Sequence, residues 1–80
     1  MELRELLITA VKKHAEGHIE KHRINVENLL QNSVGVAEHG DHIETIEKEL
    51  KIIAEYDDQL EVLKKYFVQK DPFKTTWLIN

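Results

Sequence analysis

Two uninterrupted helix-periodic runs of nearly equal length, separated by one short break, constrain this 80-residue chain more than any other feature. Residues 2–31 contain no proline and one glycine. Apolar side chains recur there at Ile8, Val11, Ala15, Ile19, Val26 and Leu29, the period of a helix. Completing the 3-4 pattern places His18, His22 and Asn25 on the same inward stripe, and Leu3, Leu6, Leu7 and Leu30 widen it. Residues 32–40 (NSVGVAEHG) read as the break, with Gly35 and Gly40 permitting turns and Val34 and Val36 expected to cap the hairpin end. Asp41 and Glu44 then have capping-box spacing, with Asp41 as N-cap of a second helix over about 41–69.

That second helix carries a heptad of Ile43, Ile46, Leu50, Ile53, Leu60 and Phe67, interrupted at Asp57 and Lys64. Beside it runs another apolar stripe, Ile52, Tyr56, Leu63 and Tyr66. Asp71-Pro72 stops the helix, because the residue before proline avoids the α region. The remaining segment, 71–80, is a tail that is apolar at Phe73, Trp77, Leu78 and Ile79.

The expected fold is therefore all-α: a two-helix antiparallel hairpin over 1–70. Helices this long span roughly 40 Å, and a short connection makes them neighbours. Two helices alone cannot cover faces this wide, so two hairpins are expected to pair into a homodimeric four-helix bundle. Ile52, Tyr56, Leu63, Tyr66, Phe67 and Trp77 are the candidate contact residues.

Composition excludes more functions than it suggests. There is no cysteine, so disulfides and thiolate metal sites are absent. The net charge of −4 argues against a nucleic-acid binder or an anionic membrane surface. It is also too small for an acidic decoy that mimics nucleic acid. No run is long enough to span a bilayer, and Met1-Glu2-Leu3-Arg4-Glu5 lacks a basic leader, so an intracellular, cytoplasmic protein is expected. Ser33 is the lone serine and has no Gly-x-Ser-x-Gly context, and no phosphate-binding glycine loop occurs. No catalytic residue and no cofactor are assigned; the chain is not expected to be an enzyme.

The stretch HAEGHIEKH, residues 14–22, stacks His14, His18 and His22 along one side of the first helix. Neighbouring pairs could chelate a metal, and a small metal-binding bundle is the alternative function. Against it, neither His-Glu-x-x-His nor Glu-x-x-His occurs. The competing expectation is structural. Facing positions around a loop near residue 36 sum to about 72, which sets Asp57 opposite Ala15, between His14 and His18. A buried or half-buried hydrogen bond between a ladder histidine, His18 foremost, and Asp57 is the expected polar contact. Asp57 and Lys64 either fix register from within the seam or reach water where the hairpin splays. Leu3, Ala10, Gly17 and Ile24 form a seven-residue series whose small members would admit a second helix closely.

The segment His18–Phe67 resembles short uncharacterised proteins of marine cyanobacterial tailed phages and marine metagenomes. The resemblance lies in Lys21-His22-Arg23, Asn25-Val26-Glu27, Val34 to His39 and the run Ile53 to Leu63. It implies a phage origin and a small accessory or assembly role with an unknown protein partner, and it assigns chemistry to no residue.

Overall fold

The computed structural model describes residues 2–31 and 39–68, without the side chains of residues 39 and 40. Two α-helices, α1 (Leu3–Gln31) and α2 (His39–Phe67), form an antiparallel hairpin. The expected caps Val34 and Val36, and the tail with Trp77, lie outside the described residues.

Local signals set the helix ends. The Glu5 carboxylate reaches back to accept the Glu2 backbone N–H at 3.2 Å, half of a capping box, and α1 starts at Leu3. In α2 the helix already includes His39, so Asp41 sits inside the first turn and is not the N-cap. It still favours the helix there, since a carboxylate in the first turn meets the positive end of the dipole. Its carbonyl accepts the Thr45 hydroxyl at 2.6 Å.

The seam is thin. In α1 the side chains turned inward are Ile8, Ala15, His18, Ile19, His22, Asn25, Val26 and Leu29, close to the stripe read from the sequence. Val11 departs from it and is half exposed, while Lys12 lays its stem along the seam instead. Among the described residues only Ala15 and Val68 are buried. Ala15 is where the two helices come closest to excluding water, with 1% of its surface exposed.

In α2 the expected seam is corrected by one heptad position. Ile46, Ile53 and Leu60 do face α1, but their partners are His42, Glu49, Tyr56 and Leu63. Ile43, Leu50, Asp57 and Lys64, which the heptad placed inside, are exposed, and so is Phe67. The reason is electrostatic. The expected stripe would bury both Asp57 and Lys64, whereas the observed one half-buries a single acid, Glu49, and gives it two donors. Tyr56 and Leu63, expected on the outer stripe, are therefore used within the hairpin.

The register matches the expected pairing closely. Arg4 donates to the Phe67 carbonyl at 2.5 Å, His22 meets Glu49 at 2.6 Å, and His42 donates through Nε2 to the Leu29 carbonyl at 2.7 Å. In each pair the residue numbers add to 71. The two terminal ties have a common logic, because the last carbonyls of a helix have no intrahelical partner. Arg4 fills that need at the end of α2. His42 does so for α1, whose last turn holds no basic residue of its own.

Ala15→Leu tests this closest contact directly. The larger side chain has no space at the seam, so unfolding free energy should fall by about 1–3 kcal/mol, read from urea denaturation. An unchanged midpoint would show that the helices are not in contact there.

Candidate functional site

The histidine ladder and the groups it meets on α2 form the one concentration of polar and aromatic side chains at the described helix–helix seam. Four-residue spacing puts His14, His18 and His22 in sequence along α1. The His14 and His18 rings are 4.5 Å apart between centroids and tilted by 55°. The His18 and His22 rings are 6.2 Å apart and nearly parallel. Tyr56 comes from α2 and stacks on His18 at 4.6 Å with an interplanar angle of 8°. It also meets the edge of His14 at 6.2 Å.

Further along, Glu49 closes the array. Its Oε1 lies 2.6 Å from His22 Nδ1 and accepts the Asn25 side-chain amide at 2.9 Å. Hydrogen bonds from His22 and then Asn25 hold the Glu49 carboxyl below its ordinary value. The His22 and Glu49 side chains are only 12% and 18% exposed, so this pair is far better shielded than the surface pair Glu20–Arg23.

His18 behaves in the opposite sense to a histidine paired with a carboxylate. Its pKa is lowered, first by desolvation and then by the positive fields of His14, Lys21 and His22. The expected His18–Asp57 hydrogen bond is not the arrangement found. Asp57 is exposed, and the aromatic face of Tyr56 occupies the position opposite His18. The polar partnership is displaced by one ladder step, to His22 and Glu49. Glu49 carries no signal in the heptad of Ile43, Ile46, Leu50 and Ile53, where it interrupts no apolar stripe; on the stripe His42, Ile46, Glu49, Ile53, Tyr56, Leu60 and Leu63 it is the single acid.

The ladder offers two neighbouring imidazoles, His14 and His18, beside a shallow depression lined by Lys13, Gly17 and Lys21. Two lysines next to the pair disfavour a bound cation. Among the described residues no group of three or more His, Asp or Glu side chains is placed to hold a metal. Of the contact candidates, Tyr56 and Leu63 lie half-buried in the seam, Ile52 is half-buried, and Tyr66 and Phe67 are exposed at 65% and 53%. None of the helices in the described residues is long and apolar enough to cross a membrane.

Replacing Glu49 should matter where replacing Asp57 does not. Glu49→Ala leaves His22 and Asn25 without their acceptor and should cost about 1–2 kcal/mol at neutral pH, against under about 0.5 kcal/mol for Asp57→Ala. Equal effects would sink the assignment. The pH dependence has a definite sign. His18 in the folded hairpin protonates below its unfolded value of 6.5, so its contribution is complete above that value and is lost as pH falls below it. Glu49, lowered from 4.5, adds a second loss at more acid pH. Thermal melts between pH 4 and pH 8 should show both steps, and His18→Phe should remove the first alone.

No protein-family model, no curated protein and no solved structure matches the chain.

Proposed function

We propose that the protein is a small non-enzymatic assembly module: a helical hairpin whose unfinished apolar surface is completed by another polypeptide. In the first instance that polypeptide is a second copy, which makes an antiparallel four-helix bundle. One observation carries this reading. Among the described residues eleven large apolar side chains are exposed by 49–70%, while the buried apolar interior consists of Ala15 and Val68. The hairpin is a single layer, 15 Å across in its shortest dimension, and has no second layer to bury these side chains.

The magnitudes favour association. Fully burying a Leu, Val or Phe contributes about 1.5–3 kcal/mol, so covering a half-exposed one contributes roughly half of that. Six such residues on each of two copies supply on the order of 10 kcal/mol. Association itself costs about 4–15 kcal/mol, and covering the half-buried seam residues adds the surplus.

The alternative, a metal-binding bundle, draws on the His14–His18 pair, whose rings are close enough to act together. It needs further ligands from a second chain. Zinc or nickel added to metal-free protein would raise the melting temperature if it holds, and no shift removes it.

Sedimentation of the full chain between about 1 and 300 µM tests the main reading. A dimer mass at the upper end, with a melting temperature that rises with concentration, is the expected result. A monomer throughout, with a concentration-independent melt, would overturn self-association.

A further inference from the structure

A dimer must use one side of the hairpin, and the two sides differ. We propose that a second copy seats, in a two-fold contact, on the side formed by Leu7, Val11, Val62, Leu63 and Phe67, passing over Gly17 toward His18 and Tyr56. The assignment rests on the dimeric reading given above and names its surface.

Exposure is the first argument. Of the eleven exposed apolar side chains, helical spacing puts six on this side, Leu3, Leu7, Val11, Val62, Tyr66 and Phe67. The other side has Leu30, Ile43 and Leu50. The six lie together at the open end of the hairpin, whereas those three lie toward the loop end.

Shape is the second. One groove is lined by Arg4, Leu7, Ile8, Val11, Leu63 and Phe67. A neighbouring one is lined by Val11, Asp58, Gln59, Val62, Leu63 and Phe67. They share Val11, Leu63 and Phe67 and so form one apolar channel along the seam. On the opposite side, the groove over Ile8, Leu60, Leu63 and Val68 is rimmed by four charged side chains, Lys12, Lys13, Glu16 and Lys64, that a covering helix would have to desolvate, against Arg4 and Asp58 on the proposed side.

Charge identifies the occupant. On the proposed side the α1 edge carries Lys13 and Lys21 around His14 and His18, Lys13 also bordering the opposite groove, and the α2 edge carries Asp58, with Lys65 over the Tyr66 ring nearer the open end. A two-fold axis running along the hairpin sets one copy's α1 against the other's α2, each contact occurring twice with the roles exchanged. Lys13 of each copy then stands opposite Asp58 of the other, so the surface complements itself at that step. Gly17 adds room for the approach. A Cβ built there meets nothing within 4 Å, and its absence lets a neighbouring backbone come close.

The test compares sides on the intact chain, with far-UV circular dichroism to confirm that each variant is helical. Val11→Glu and Val62→Glu change exposed residues on the proposed side, and Leu50→Glu changes an exposed residue on the other. The first two should weaken the dimer at least about hundredfold in sedimentation equilibrium, and Leu50→Glu by less than about threefold. Gly17→Leu, which meets nothing inside its own hairpin, should keep full helicity and weaken the dimer at least about tenfold. A wild-type dimer that tolerates Val11→Glu, Val62→Glu and Gly17→Leu, or that is lost equally with Leu50→Glu, overturns this surface and leaves the dimer standing. A wild type that stays monomeric overturns both, and makes the occupant the chain's own residues 69–80 or a foreign helix.

Discussion

The hairpin depends on polar ties that hold two long helices in one register across a seam too thin to do so by packing. With Ala15 the sole buried seam residue, apolar contacts along the helices are interchangeable, and a slide of one turn would lose little. The ties are not interchangeable. Arg4 reaches the last carbonyl of α2, His42 reaches a terminal carbonyl of α1, and Glu49 takes hydrogen bonds from His22 and Asn25 between them. A slide would strand all three, at the greater cost for the half-buried His42 and Glu49 ties and the lesser for the exposed Arg4 tie. Buried polar residues commonly fix register in this way in helical assemblies.

The same ties explain how the histidine ladder divides. His22 is bound to a carboxylate, His18 is stacked on a phenol ring, and His14 is exposed at the edge. Three residues with the same spacing and chemistry thus meet three environments, because α2 presents a different side chain at each step. Desolvation and neighbouring positive charge lower the pKa of His18, while donated hydrogen bonds lower that of Glu49. Both shifts make the hairpin sensitive to acid. A chain whose formal charge is −4 with neutral histidines also loses its net charge as those five histidines protonate.

What is left exposed is as informative as what is tied. Six of the eleven exposed apolar side chains among the described residues lie at the open end along one side, and Leu6, Ile24, Leu30, Ile43 and Leu50 lie elsewhere. That exposure agrees with the arithmetic of small chains, since a single layer of two helices cannot enclose a core.

Helix periodicity, the absence of interior proline and the single glycine-containing break determined that this chain makes two long helices joined as an antiparallel hairpin. Symmetric placement about the break also determined their register, which the sequence set at a sum near 72 and the structure sets at 71. What sequence could not decide was the rotation of α2 about its own axis. Its apolar residues cover more than one stripe, and a wide stripe is compatible with several angles. Tertiary structure chose the angle that keeps Asp57 and Lys64 in water and gives Glu49 two donors, because an unpaired buried charge costs more than a half-exposed isoleucine or leucine gains. That choice sent Tyr56 inward to His18, left Ile43 and Leu50 outside, and fixed which apolar side chains remain exposed on the hairpin.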